Sequence, residues 1–217
     1  MNELFIKQFF SEKGELSQSI EDYRLRQEQV DISVLIDEAI TNKKKLIVEA
    51  GTGIGKTFAY LVPAFLSGGK IIISTATKNL QDQLFTKDIP MIRDALNVPV
   101  TLAMLKGRSN YLCHLRLENA MIEGAFMTKE DVTYLHLVNQ HAKHSMDGDR
   151  SELDTIPESS SIWPQVTSTK ENCLGQDCSF YKECFVMNAR KKALTADVTI
   201  VNHHLFFADL NMKEEGI

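Results

Sequence analysis

Ala50-Gly51-Thr52-Gly53-Ile54-Gly55-Lys56-Thr57 constrains this chain more than any other feature. Glycines at these spacings let the backbone curve tightly with its N–H groups pointing inward, where they can cradle phosphate. Just before the loop, Lys45-Leu46-Ile47-Val48-Glu49 is short and β-branched and reads as a buried parallel strand. Lys56 to Leu66 reads as a helix closed by Ser67-Gly68-Gly69, and Lys70-Ile71-Ile72-Ile73-Ser74 as the next strand. Strand, loop, helix and strand in that order make the fold class α/β with a parallel sheet. The helix start adds partial positive charge under the loop. Lys56 would contact the β and γ phosphates of a nucleoside triphosphate, and the Thr57 hydroxyl would bind Mg²⁺. A strict phosphate-loop pattern has Gly where Ala50 stands. A glycine-rich loop with no ligand is the alternative, and Gly-Lys-Thr after a β-rich strand speaks against it.

One segment imitates a second nucleotide motif. Val34-Leu35-Ile36-Asp37-Glu38-Ala39 has the apolar run and acidic pair of a Mg²⁺ and water-activating strand. However, Ile32, Leu35, Ile36, Ala39 and Ile40 repeat at helical spacing, which predicts a helix with Asp37 and Glu38 off the buried stripe. Further along, Val98 to Met104 reads as a third strand and Ala196 to Asn202 as another that returns to the sheet. Between them, residues 106–190 differ in texture. They hold all four cysteines, the single Trp163 and the polar stretch Ser145 to Ser161. They read as an insertion with its own small core and a helix near Lys129 to Lys143. The expected organisation is 1–105 as the main domain, 106–190 as the insertion and 191–217 as its continuation.

Cys113, Cys173, Cys178 and Cys184 have unequal spacing, three clustered and one far upstream. Nothing at the N-terminus, Met1-Asn2-Glu3-Leu4-Phe5-Ile6-Lys7, resembles a secretory signal, so a cytoplasmic location is expected and structural disulfides are not. Three thiols in so short a stretch suggest a metal or cluster site. Four thiolates suit Zn²⁺ or an iron–sulfur cluster equally well, and unligated buried cysteines remain a third reading. His114 and the His203-His204 pair read as ordinary histidines.

Taken in order, these motifs resemble a known family. Glu49 to Thr57, Ser74-Thr75-Ala76-Thr77-Lys78-Asn79-Leu80-Gln81-Asp82-Gln83-Leu84, Lys106-Gly107-Arg108-Ser109-Asn110-Tyr111-Leu112-Cys113, the clustered cysteines and Ala196 to Leu205 together look like the DinG/YoaA branch of the XPD-type superfamily 2 iron–sulfur DNA helicases. The resemblance covers nearly the whole chain. It implies a RecA-like first motor domain, interrupted by a domain in which the four cysteines hold a [4Fe–4S] cluster. It implies that Arg26 and Gln29, in Arg26-Gln27-Glu28-Gln29, recognise adenine of ATP. It implies that Thr75, Thr77 and Lys78 contact the backbone of single-stranded DNA. The family couples ATP hydrolysis to 5′→3′ movement and duplex opening.

The chain also departs from the family. Complete members carry a DEAH box after the strand near Val201, then a second motor domain with an arginine finger. This sequence stops at Ile217 before either, so the expectation is an N-terminal portion unable to hydrolyse ATP alone. A non-catalytic, metal-stabilised module that binds single-stranded DNA or a partner is the rival reading. The formal net charge of −5 argues against a generic polyanion binder but leaves room for a local basic contact surface. The longest apolar run, Leu61 to Leu66, is far short of the ~20 residues of a membrane helix, so no membrane partner is expected.

Overall fold

The computed structural model describes residues 2–124, 126 and 128–214. Among them, no helix is long and apolar enough to cross a membrane. The chain divides into two compact units. The first takes the chain up to Met104 together with Ala196–His203, and the second takes Leu105–Thr195 and the residues from His204 onward.

In the first unit, helices α1 (Glu3–Phe9), α2 (Glu15–Ser19) and α3 (Gln27–Thr41) precede the phosphate loop and α4 (Lys56–Leu66) follows it. Strand β1 (Ile71–Thr75) leads to α5 (Lys78–Gln83), which runs through a π turn at Leu84–Asp88 into α6 (Ile89–Leu96). Strands β2 (Leu102–Leu105) and β3 (Val198–Asn202) complete a three-stranded sheet of order β1-β3-β2. β1 and β3 are parallel, with Ile71 opposite Val198 and Thr75 opposite Asn202. β3 is buried because it is central. Its approach is aligned by Asp197, whose carboxylate accepts from the Thr101 N–H at 2.8 Å and the Thr101 hydroxyl at 2.6 Å.

The core under this sheet recruits the N-terminus. Ile6, Phe9, Phe10 and Leu16 are fully buried beside Leu61, Val62, Ile89, Ile92, Val198 and Ile200. The rings of Phe9 and Phe10 meet edge to face at 5.6 Å. Phe9→Ala should therefore lower the unfolding free energy by about 3–5 kcal/mol through lost burial and a cavity. Urea denaturation followed by fluorescence would show this, and an unchanged midpoint would mean that α1 does not belong to this core.

Three sequence expectations need correction here. Lys45 to Glu49 is not a buried strand. It has no assigned secondary structure and is not among the strands of the sheet, β1, β3 and β2, and its side chains are exposed, Ile47 to 97%. The strand over Val98 to Met104 begins only at Leu102. Pro99 has no N–H to give a ladder, and Val98 and Val100 pack against the core instead. The helix over the false acidic motif is present as α3, but its buried face is rotated toward Val30, Ser33 and Asp37, while Leu35 is exposed. Asp37 tolerates burial because Asn2 donates to it from its backbone N–H at 3.1 Å and its amide at 2.9 Å. Desolvation pushes the Asp37 carboxyl up, but the two bonds from Asn2 oppose it and the carboxyl stays below its usual range.

The second unit contains α7 (His114–Glu123), α8 (Lys129–His144), the short α9 (Trp163–Val166) and α10 (Phe185–Thr195). α8 starts where the Thr128 hydroxyl accepts from the Asp131 N–H at 3.1 Å. Leu112, Val138, Ile162 and Val166 form a buried centre with Trp163, whose indole N–H donates to Pro157 O at 2.9 Å. At the start of the unit, the buried Lys106 ammonium pairs with Asp149 at 2.6 Å, and the Lys106 N–H donates to the Tyr111 hydroxyl at 2.9 Å. A last helix, α11 (His203–Glu214), follows β3 directly.

Candidate nucleotide and metal-binding sites

The phosphate loop ends where the sequence places it, at the first residue of α4. Gly55 precedes Lys56 with φ +84°, a left-handed conformation that disfavours any side chain. Its surroundings leave no room either. A Cβ on Gly55 would lie 2.1 Å from Gln29 Nε2, and Gln29 is 2% exposed. That amide donates to Gly55 O at 2.8 Å. Gln29 thus lies against the loop, and Arg26 Nη1 reaches within 3.5 Å of the same point. Ala50 is tolerated in place of Gly because, among described non-glycine residues, only Asp22, Lys43 and Asn97 adopt positive φ.

Lys56 folds over its own loop, donating to Ala50 O and Gly51 O at 2.8 Å each. Thr57 sits one residue into the helix, near Tyr60. Burial pushes the Tyr60 phenol up to about 12, against a hydrogen bond from Thr57 that pulls it down. Gly55→Ala should cost about 1–2 kcal/mol in backbone strain and displace Gln29 as well. The expected outcome is a lower melting temperature together with weaker nucleotide affinity, and an unperturbed melting curve would contradict the tight packing around Gly55.

The residues that the resemblance implies for DNA contact lie at the C-terminal end of β1. Thr75 is buried and its hydroxyl donates to Thr77 O at 3.2 Å. The Thr77 hydroxyl accepts from the Leu80 N–H at 3.3 Å and caps α5, leaving Lys78 at the helix start and half-buried. Sequence reasoning missed their neighbour: Ser74 Oγ lies 2.6 Å from His203 Nδ1, across the β1–β3 pair.

In the second unit, all four cysteines line one cavity of about 190 Å³. Cys113 caps the start of α7. Burial pushes its thiol up, and the N–H groups of Arg116 and Leu115 oppose that. Cys173 accepts from Arg108 Nη1 at 2.9 Å and from the Gly175 N–H at 3.4 Å. Arg108, Arg116 and Arg190 are among the residues that line the cavity, and among the described lining residues there is no carboxylate. His114 also borders it, its ring tilted against those of Phe180 at 5.8 Å and Phe185 at 4.5 Å, and burial lowers its pKa. Among the described residues, no three His, Cys, Asp or Glu side chains come close enough to hold a single metal ion. The cysteine spacing pointed to this site. Arg108 carried no such signal, because its partner lies 65 residues away.

The profile of the family described as DEAD/DEAH box helicase matches residues 32–150, from α3 through the phosphate loop and into the second unit. The chain belongs to this family. Helicases of this family that resemble it include the "ATP-dependent DNA helicase YoaA" of Haemophilus influenzae, 51% identical over 97% of this chain and 33% of the relative. The protein of the same name in Escherichia coli is 46% identical over 95% of this chain and 32% of the relative. The "ATP-dependent helicase DinG" of Mycobacterium tuberculosis is 34% identical over 85% and 31%. The chain spans about a third of the length of the curated relatives it matches. It fits the DinG/YoaA branch, and its first unit has α/β content with a three-stranded parallel sheet.

Proposed function

We propose that these residues serve an ATP-dependent DNA helicase of the DinG/YoaA type, moving 5′→3′ along single-stranded DNA in repair or replication. The observation that carries this reading is the phosphate loop, folded at the start of α4 with Lys56 poised over it. On ATP binding, the Lys56 ammonium exchanges two carbonyl partners for the β and γ phosphates. The Thr57 hydroxyl would be one ligand of a bound Mg²⁺, and the first N–H groups of α4 would face the phosphates. Gln29, already bonded to Gly55 O, and Arg26 beside it serve the adenine end and couple it to loop shape. Fluorescent ATP should bind in the presence of Mg²⁺, and Lys56→Ala should abolish that binding. Equal binding by the variant would remove the nucleotide site.

The cavity in the second unit supports a [4Fe–4S] cluster. Its donor set is all thiolate, the four cysteines share one cavity, and the described lining residues include three arginines and no carboxylate. When bound, such a cluster cross-links the chain at four points and supplies a one-electron centre. Cys113, Cys173, Cys178 and Cys184 would hold it. Single-stranded DNA is the proposed nucleic-acid partner, through Thr75, Thr77 and Lys78. Contacts to phosphate release counterions, so binding should be weak and steeply salt-dependent. Lys78→Ala should weaken binding alike for all sequences and lower the salt slope by about 0.7, the share of one single-strand phosphate. A variant that binds unchanged in a salt titration would remove Lys78 from the interface.

The rival reading, a binding module without turnover, draws on one observation. Lys56 is held by carbonyls, and among the described residues no carboxylate contacts it. Phosphate release with and without single-stranded DNA separates the two readings.

A further inference from the structure

We propose that Lys45-Leu46-Ile47-Val48-Glu49 is a self-complementary docking strand, and that a second copy of this chain pairs with it antiparallel about a two-fold axis at Ile47. Several observations meet at this segment. Its composition is that of a strand, β-branched at Ile47 and Val48. It lies outside the sheet formed by β1, β3 and β2. All of its residues are exposed, with Leu46 at 41%, Ile47 at 97% and Val48 at 40%. Among the described residues, no backbone hydrogen bond is seen to or from it. An apolar row of unpaired N–H and C=O groups is a template for pairing with another chain. The local backbone permits this. Positive φ occurs at Lys43 and Gly53 on either side and at no residue between them.

The order of side chains decides which partner fits. Laid antiparallel on its own copy about Ile47, the segment sets Lys45 opposite the second copy's Glu49, and Glu49 opposite the second copy's Lys45. Leu46 then meets Val48, and Ile47 meets its own equivalent. Strand side chains alternate, so the two charge pairs flank the isoleucine pair on one face and the Leu46–Val48 pairs lie on the other. Directly opposed pairs of opposite charge, and apolar pairs, are what stabilise a sheet. The competing arrangements lose these pairs. Parallel in-register pairing sets Lys45 on Lys45 and Glu49 on Glu49, with Lys43 and Lys44 also facing their equivalents. An antiparallel slip of one residue sets Lys45 against the apolar Val48 or Ala50.

A two-fold axis repeats each contact and closes the assembly at two chains. The charge order therefore selects a second copy over an unrelated strand, which would have to supply the same acid and base at the same spacing. A strand this short makes a small interface, so the dimer should form reversibly and depend on concentration. It should weaken with salt, because Lys45 and Glu49 are exposed and their attraction is screened.

The test uses the full chain. Sedimentation velocity over a range of protein concentrations at low salt measures the monomer–dimer constant, and hydrogen exchange reads the amides of residues 45–49. Wild type should dimerise on concentration, with those amides protected in the dimer alone. Lys45→Glu and Glu49→Lys should each weaken dimerisation on the order of 10-fold, since each sets like charges opposite at two symmetric places. An equimolar mixture of the two variants should recover wild-type association, because the mixed pair restores opposite charges. The chain that carries both changes should do so by itself. Wild type that stays monomeric at every concentration would overturn the proposal. Protection of residues 45–49 in the monomer would overturn it too, by showing that this chain covers the segment itself. Dimers indifferent to both reversals would place the interface elsewhere. A mixture that associates no better than its components would overturn the antiparallel pairing, and assemblies larger than two chains would overturn the two-fold closure.

Discussion

A polypeptide of these 217 residues should bind Mg-ATP yet release phosphate at a rate near background, whether or not single-stranded DNA is present. Binding draws on parts that are in place: the loop, the first turn of α4, Lys56 and Thr57. Turnover needs more. Transfer of phosphoryl to water requires a carboxylate that completes the Mg²⁺ shell and orients the nucleophile, and a cation for charge that develops in the transition state. Among the described residues, the bonds of Lys56 go to carbonyls, and the nearby cation, Arg26, lies beside Gly55 and Gln29, where it is proposed to serve the adenine end. The acidic pair of α3 cannot serve. Asp37 is buried and committed to Asn2, and Glu38 faces solvent on the same helix. Where phosphoryl transfer relies on such an arginine, doing without it typically costs about 10³–10⁵ in rate, and doing without the carboxylate adds to that. A coupled assay for phosphate release, run with and without a single-stranded oligonucleotide, measures the prediction directly. Steady hydrolysis that DNA stimulates and Lys56→Ala abolishes would show that the chain already holds a complete catalytic set.

What could be read from the sequence was what local chemistry decides. The phosphate loop, α4 from Lys56 to Leu66, the helical state of the segment around Asp37 and the strand ending at Asn202 all follow from neighbours within a few residues. The failures share a different cause. Lys45 to Glu49 has the composition of a buried strand, but burial is a property of the neighbours a strand finds, and Ile47 finds none in this sheet. The face of α3 could not be assigned by hydrophobic spacing alone, because Asn2, 35 residues away, makes Asp37 an acceptable inward residue. At the cysteine site, residue type announced the thiols. What surrounds them was hidden, since Arg108 pairs with Cys173 and Lys106 with Asp149 across separations that no local pattern encodes.

Anaerobically purified protein should be brown, with iron and sulfide each near four per chain, as expected for one [4Fe–4S] cluster. Replacing Cys178 with Ser should bleach it. The structural effect should be uneven. The second unit includes Leu105–Thr195 and has its own apolar centre, with Leu112, Val138, Ile162 and Val166 nearly or fully buried. A core of that kind does not depend on metal in the way that a small zinc finger does. The segment from Thr169 to Glu183 is different. Its residues are exposed or half-exposed, and it is built from short turns rather than long helices. Ligation supplies much of what fixes it, so an apo or Cys178→Ser chain should loosen there first. Limited trypsin digestion should then cut after the exposed Lys170 and Lys182 well before it reaches the buried face of α8. Far-UV circular dichroism should change little, because α7, α8 and α10 persist. Zinc at one per chain in anaerobic preparations would sink the cluster assignment. Loss of all helical signal on metal removal would show instead that the apolar centre of the unit cannot stand without its thiolate cross-links.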